Sequence, residues 1–303
     1  MPVHPFYQLD VFTDRPLTGN PLAVFPEADG IPPATMQALA REMNLSETTF
    51  VLPSSRAVRR VRFFTPSREI PLAGHPTIGT WWLLAELGAL GDPPADGSVS
   101  VTQETGRGVL PVTLAFEGGR IRAAMMTQAL PEFGAIVEDL DALARSLGAG
   151  TGVLRDAPAP EVVSTALPQL MVPVSSRDAL SALPSGGAGV ELVALLRQFD
   201  TDCVMCYSPP EQGRVRCRMF APGLGVPEDP GTGSAAGALG AHLVRHGVLA
   251  PSGGTAAFTV EQGVEIDRPS RIDVEVDAGA DRTITAVRVG GAAVRVIHGE
   301  VTL

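Results

Sequence analysis

The chain contains no lysine, and all 23 of its basic residues are arginine. An enzyme that uses pyridoxal phosphate needs a lysine to form the Schiff base with its cofactor. A P-loop nucleotide-binding protein needs a lysine to contact the phosphates. The missing lysine therefore excludes both of these large classes of protein.

Cysteine and long apolar runs are also scarce. Three cysteines in 303 residues do not make a disulfide framework. Cys203 and Cys206 have the spacing of a redox or zinc pair, but they lie in a predicted strand, where side chains three apart point to opposite faces. No apolar run approaches the roughly 18 residues that a membrane span needs, and the first residues lack the pattern of a secretory signal. We therefore predict a cytoplasmic protein with no membrane partner.

Clusters of basic residues with aromatic residues are absent as well. The formal net charge is −10, so the chain has little with which to neutralise nucleic-acid phosphates. Nucleic acid is accordingly excluded as a partner. The apolar share of 45% is typical of a globular protein.

The chain does contain an internal repeat. Two segments that run from a strand through a loop into an apolar helix, ending at Thr77 and Ser234, resemble each other at an offset of about 156 residues. Identical residues occur in both, namely Arg60 and Arg216, Arg62 and Arg218, Phe64 and Phe220, Pro66 and Pro222, and Pro71 and Pro227. A repeat of this kind indicates one structural unit used twice.

The repeat predicts a mixed α/β (α+β) fold of two similar domains, 1–128 and 129–289, with a last strand at about 290–303 that returns to the first. In each domain a mixed, largely antiparallel sheet is expected to roll around a central helix, predicted from His75 to Leu87 and from Gly233 to His246. Both helices are apolar on nearly every side, which is typical of helices surrounded by protein. The active site is expected in the cleft between the domains.

The starts of these two helices are the candidate binding sites. A helix start offers backbone N–H groups and a partial positive charge, which favour a carboxylate. His75 lies at the first start, where the helix field disfavours a charged imidazole. Glu47 and Asp229 could work with a neutral histidine as a proton relay, although Glu47 alone could be a solvated carboxylate and Asp229 a helix cap.

Two further patterns are interpreted as structural. Gly231–Ala236 resembles a dinucleotide-binding motif but lacks the continuous strand that should precede it. His242 and His246 are one helical turn apart, as in some metal sites, but the last turn of a helix commonly carries histidines. We predict neither a cofactor nor a metal.

Four motifs together resemble the PhzF-like phenazine biosynthesis family, which belongs to the diaminopimelate epimerase fold superfamily. The motifs occur in the expected order over essentially the full length. They are Leu9–Phe12 with Thr18–Pro21, Asn44–Thr48, Leu72–Thr77 and Glu228–Ala235. The resemblance implies the two-domain fold described above, cofactor-free proton-shift chemistry and a homodimer.

The resemblance also implies roles for individual residues. The catalytic residues of the family correspond to Glu47, His75 and Asp229. Its substrate-binding residues correspond to the following positions: Gly74, Gly233, Ser234, Ser46 and Asn20. The related racemases use a thiol at each helix start, whereas all three cysteines of this chain lie elsewhere.

We therefore predict an isomerase that moves a proton within a small carboxylate-bearing, cyclic or unsaturated metabolite. Glu47 is expected to remove the proton from one carbon and to return it at another. Two alternatives remain open. One is an epimerase or dehydratase of an amino or hydroxy acid on the same fold, and the other is a non-catalytic metabolite-binding protein.

Overall fold

The computed structural model describes residues 2–150 and 152–303, and the chain divides into two compact units. One unit runs to Met126 and also takes in Gly290–Leu303, and the other is Thr127–Val289. The helices are α1 (Pro33–Met43), α2 (Gly74–Glu86), α3 (Leu140–Ser146), α4 (Arg177–Ser181), α5 (Val190–Arg197) and α6 (Gly233–Arg245). Among the described residues, no helix is long and apolar enough to cross a membrane.

The first unit contains a mixed sheet. Its strands are β1 (Val3–Val11), β2 (Asn20–Phe25), β3 (Thr48–Leu52), β4 (Arg59–Phe64), β5 (Glu69–Ile70), β6 (Gly97–Thr105), β7 (Gly108–Glu117), β8 (Arg120–Thr127) and β18 (Ala293–Thr302). Neighbouring strands follow the order β18-β1-β2-β3-β4-β6-β7-β8, and β5 pairs with β4. Only β2 with β3 and β4 with β6 are parallel, because a helix connects each of these pairs.

The second unit repeats this plan. Its strands are β9 (Glu132–Ile136), β10 (Glu161–Ser164), β11 (Pro168–Pro173), β12 (Val204–Tyr207), β13 (Arg214–Ala221), β14 (Val226–Asp229), β15 (Thr255–Gln262), β16 (Ser270–Ala278) and β17 (Ile284–Gly291). The order is β9-β10-β11-β12-β13-β15-β16, with β14 on β13 and with β11–β12 and β13–β15 parallel. Each step has the same sense as its counterpart in the first unit. The predicted mixed α/β fold with a repeated plan is confirmed.

A buried helix lies at the centre of each unit. In α2 every residue from His75 to Trp81 is buried, and in α6 every residue from Ala235 to Val244. Glycine allows close approach to the sheet. A Cβ on Gly79 would lie 2.6 Å from Leu22 Cδ2, and one on Gly240 would lie 2.8 Å from Val274 Cγ1. The apolar sequence of each helix is thus matched by contact on all sides.

The sequence predictions were wrong at several places in the second unit. The sequence pattern predicts a helix over Val137–Leu147, but the helix begins at Leu140, because Asp139 caps it by accepting a hydrogen bond from Ala142 N at 2.8 Å. The strands β10 and β11 were not predicted. They are short and bounded by prolines, which masks the apolar pattern on which a strand prediction depends.

An arginine–glutamate pair joins the two antiparallel strands that precede each central helix. The Nε and Nη2 atoms of Arg62 donate to the two carboxylate oxygens of Glu69, each at 2.7 Å. Arg218 does the same to Glu228, at 2.8 and 2.6 Å. Each guanidinium also lies 5.1 Å from an aromatic ring centre, that of Phe64 or Phe220. The repeated Arg-x-Phe of the sequence is therefore a repeated clamp that joins β4 to β5 and β13 to β14.

The two clamps differ in burial. The side chains of Arg218 and Glu228 are only 3% and 2% exposed, whereas those of Arg62 and Glu69 are 15% and 44% exposed. Arg218 also donates to the carbonyls of Leu180, Ser181 and Leu183.

We expect Glu228→Gln to lower the free energy of unfolding by about 3 kcal/mol, because it leaves a buried guanidinium without its counter-charge. The matched variant Glu69→Gln, at the half-exposed clamp, should cost less than about 1 kcal/mol. Urea unfolding followed by circular dichroism measures both. Equal losses in the two variants would contradict this account of the clamps.

Candidate active site

Glu47 lies in the short connection between α1 and β3. Helix α1 ends at Met43, and its C-cap residue Asn44 has a φ of +50°, a left-handed conformation that asparagine tolerates well. Four residues after Asn44, β3 begins at Thr48, which pairs with Ala23 of β2. The Glu47 side chain is 19% exposed. The carboxylate is therefore fixed between two rigid elements and keeps limited access to solvent.

His75 is the second residue of α2. The N-cap residue, Ala73, has an extended backbone and makes no side-chain cap. The imidazole is 7% exposed, and burial lowers the pKa of His75 to about 3, although a hydrogen bond to the backbone of Pro21 opposes this shift. His75 is thus a neutral imidazole throughout the physiological pH range.

The hydrogen bonds of His75 identify its tautomer. Proline has no backbone N–H, so the imidazole must donate to the Pro21 carbonyl. Nε2 has no hydrogen-bond partner among the described residues, so Nδ1 is the donor. The free lone pair of the neutral ring is therefore on Nε2.

Glu47 and His75 come together. The Glu47 Oε2 atom lies 3.6 Å from His75 Nε2. A small adjustment would bring the two atoms within hydrogen-bonding distance, as commonly happens when substrate binds. A protonated Glu47 could then donate to the imidazole, and an ionised Glu47 could take a proton from a carbon acid.

The other predicted residues of the first unit lie in the same connections. Asn20 is fully buried at the start of β2, where it pairs with Val11. Ser46 is half-buried next to Glu47, and Gly74 is the first residue of α2. Gly19, before Asn20, has a φ of +68°, and a Cβ there would lie 2.7 Å from Thr13 Cγ2. The Thr-Gly-Asn-Pro turn therefore needs glycine at this position.

In the second unit, Asp229 is the last residue of β14 and pairs with Met219 of β13. Its Oδ2 atom accepts a hydrogen bond from the hydroxyl of Thr232, the N-cap residue of α6. Asp229 is therefore linked to the helix start, but it does not act as the N-cap residue itself.

Gln262 organises this turn from the end of β15. Its Nε2 atom donates to the Asp229 carbonyl at 2.7 Å and to Thr232 Oγ1 at 3.0 Å. Its Oε1 atom accepts from Thr232 N at 3.1 Å. The Gln262 side chain is fully buried. The sequence analysis missed this residue because it lies about 30 positions beyond the motif that it supports.

Two more glutamines hold the first turn of α6. Gln128 Nε2 donates to the Gly233 carbonyl at 3.0 Å, and Gln169 Nε2 donates to Ser234 Oγ at 2.9 Å. Both Gly233 and Ser234 are thereby fixed in place. No local sequence pattern signals these contacts, since both glutamines lie on segments far from α6 in sequence.

The three cysteines lie on strands of the second unit or directly before one, and none of them is in the first turn of α2 or of α6. Cys206 and Cys217 are on β12 and β13, and Cys203 directly precedes β12. Burial raises the pKa of Cys203 and of Cys206 to about 12, and it also raises the pKa of Cys217 well above its usual value. These thiols are therefore protonated and poorly nucleophilic.

Comparison with known proteins identifies the family of the chain. The family model described as "Phenazine biosynthesis-like protein" matches residues 9–299. The trans-2,3-dihydro-3-hydroxyanthranilate isomerase of Pseudomonas fluorescens is 38% identical to the chain, covering 99% of this chain and 100% of the relative.

Solved structures are similar as well. The phenazine biosynthesis protein of the PhzF family from Bacillus anthracis has a TM-score of 0.90 at 30% identity, with 100% of each chain covered. A probable proline racemase from Agrobacterium radiobacter has a TM-score of 0.68 at 15% identity, covering 99% of this chain and 93% of that one, which shows a shared fold alone. The chain belongs to the phenazine biosynthesis-like protein family, and it is an isomerase.

Proposed function

We propose that this isomerase moves a proton between two carbons of a cyclic, unsaturated carboxylate of the dihydro-hydroxyanthranilate type. The pair formed by Glu47 and the neutral His75 carries the proposal. The full-length relative from Pseudomonas fluorescens, named for such a substrate, supports the substrate class. A proton shift with movement of the double bond neither oxidises nor reduces the substrate, so no redox cofactor is required.

Glu47 is the proposed general base. Its ionised carboxylate removes a proton from a ring carbon, and the negative charge that remains is delocalised through the unsaturated ring toward the substrate carboxylate. The same carboxyl group then returns the proton at another carbon. A positioned carboxylate of this kind is a common general acid–base catalyst.

His75 is the proposed partner of Glu47. Because Nε2 carries a lone pair, it can accept a hydrogen bond from Glu47 while the carboxyl group holds the transferred proton. A charged imidazole at this position would instead stabilise the ionised carboxylate, so that Glu47 would take up the proton from carbon less readily. The burial that keeps His75 neutral therefore favours proton transfer through Glu47 from one carbon to the other.

Asp229 is proposed as a second proton carrier. Thr232 donates a hydrogen bond to the Asp229 carboxylate, and Gln262 donates one to the Asp229 carbonyl. These two bonds support a carboxylate that is fixed in position. Gly74, Gly233 and Ser234 are proposed substrate-binding residues, because a helix start offers backbone N–H groups that favour a carboxylate. Asn20 and Ser46 are proposed substrate contacts, as the family resemblance implies.

We expect Glu47→Gln to lower the rate of deuterium incorporation from heavy water into trans-2,3-dihydro-3-hydroxyanthranilate by at least about 100-fold. The amide has nearly the shape of the carboxylate but cannot take a proton from carbon. Proton NMR of the reaction measures the loss, and binding of a substrate analogue should change little.

The matched control is Glu42→Gln, which changes an exposed carboxylate on α1 five residues earlier. This variant should incorporate deuterium at the rate of the unchanged protein. Deuterium incorporation by Glu47→Gln at the same rate as the control would contradict the proposed base. Analogue binding without incorporation in the unchanged protein would favour a metabolite-binding function.

The low pKa of His75 predicts an acid-dependent loss of stability. The unfolded chain takes up a proton on this residue near pH 6.5, whereas the folded protein does so only near pH 3. This group therefore adds nothing to the pH dependence above about pH 6.5. Below that pH it lowers the free energy of unfolding by up to about 1.4 kcal/mol per pH unit.

We expect His75→Gln to have a smaller loss of stability than the unchanged protein between pH 6.5 and pH 4.5. Urea unfolding at a series of pH values measures the slope. His298→Gln, which changes an exposed histidine on β18, should keep the slope of the unchanged protein. The same slope in all three proteins would show that His75 is not held neutral by burial.

We also propose a homodimer in the cytoplasm. The family resemblance supports the homodimer, and the three cysteines, which form no disulfide, fit a reducing compartment. Sedimentation velocity at micromolar concentration would distinguish a dimer from a monomer.

A further inference from the structure

A cluster of three metal-binding side chains lies at the far end of α6 from Gly233. His242 and His246, one turn apart on the helix, both face Glu161, the first residue of β10. The three groups offer ligand atoms that all lie within 4.8 Å of one another. Neither the proton-shift chemistry nor the helix starts use these residues.

The two oxygens of the Glu161 carboxylate have different neighbours. Its Oε2 atom lies 3.3 Å from His242 Nδ1 and 2.8 Å from His246 Nε2. Its Oε1 atom lies 3.9 Å from Arg245 Nε, and the Arg245 guanidinium stacks 4.1 Å from the ring centre of Phe133. Arg245 is thus nearest to Oε1, and Oε2 is the oxygen that contacts both imidazoles.

A further contact orients His242. Its Nε2 atom lies 3.1 Å from the hydroxyl of Tyr207, on β12. This leaves Nδ1 for the cluster. Histidines that bind metals usually have the second ring nitrogen in a hydrogen bond, because that bond fixes the direction of the ring. Tyr207 provides such a bond here.

Burial differs across the cluster. The side chains of His242 and Glu161 are 0% and 3% exposed, and that of His246 is 27% exposed. Two ligands are therefore rigidly placed within the unit. The third leaves a path from solvent, by which an ion could enter and a water molecule could complete the coordination.

We propose that Glu161, His242 and His246 bind one divalent transition-metal ion, with Zn²⁺ as the best match. Two imidazoles and one carboxylate are a ligand set that zinc uses, with a water in the fourth position. Zinc–ligand bonds of about 2.1 Å place tetrahedral ligand atoms about 3.4 Å apart. The two distances to Oε2 need only small changes to meet this value. The bound ion would tie β10 to the last turn of α6.

The competing explanation is a purely hydrogen-bonded cluster, in which the histidines donate to Glu161 and no ion binds. The two explanations differ in what they predict for affinity. A hydrogen-bonded cluster has no preference for zinc over magnesium, whereas a site with two imidazoles binds zinc far more tightly than magnesium.

The test is titration of the full chain, prepared without a polyhistidine tag and freed of metal by a chelator, with Zn²⁺ and with Co²⁺. We expect one equivalent of each ion to bind and the midpoint of thermal unfolding to rise by a few degrees with zinc. Visible absorption of the Co²⁺ form should show nitrogen and oxygen ligation without a thiolate band. Binding of no ion, or a thiolate band, would overturn the proposal.

Variants locate the site. His246→Gln, at the partly exposed ligand, should weaken zinc binding by about 100-fold while keeping the circular dichroism of the unchanged protein. His298→Gln, outside the cluster, should bind zinc as the unchanged protein does. Tyr207→Phe should weaken binding by about 10-fold, through loss of the bond that orients His242. Zinc binding that His246→Gln leaves unchanged would overturn the proposal, whether or not Glu161→Gln folds.

Discussion

The burial of the central helix in each unit is the constraint on which the rest of the structure depends. A helix that is apolar on every side must be surrounded by protein, and a single sheet can do this only by curving around it. The parallel steps β2–β3 and β4–β6, and β11–β12 and β13–β15, continue each sheet around its helix. The small residues of α6 then allow the backbone to approach the strands closely.

This enclosure also explains the chemistry of the helix starts. A histidine at the start of a buried helix loses most of its hydration, and His75 is consequently neutral. Polar groups buried near such a start need partners. In the second unit three glutamines provide them for Asp229, Thr232, Gly233 and Ser234. The same physical requirement therefore produces both a neutral imidazole and a rigid framework for the candidate site residues.

The two arginine–glutamate clamps show how a repeat can keep its geometry while its energetics change. The Arg-x-Phe sequence is the same in both units, and so are the bidentate hydrogen bonds and the distances to the aromatic rings. The clamp of the second unit is buried because the end of α4 and Leu183 just after it supply carbonyl groups to Arg218. The repeat in the sequence shows the arginine and the phenylalanine of each clamp, but their pairing with glutamate and their burial depend on the tertiary structure.

The sequence by itself determined the repeat, the two central helices to within a residue or two, most strands and the family. These features depend on periodicity and on short motifs, which are local in the chain. It also predicted Glu47 and His75 as partners, through the family resemblance. The tertiary structure alone decided the tautomer of His75, the three supporting glutamines, the short strands β10 and β11, and the approach of Glu161 to His242. Each of these depends on contacts between residues dozens of positions apart, which leave no periodic signal in the sequence.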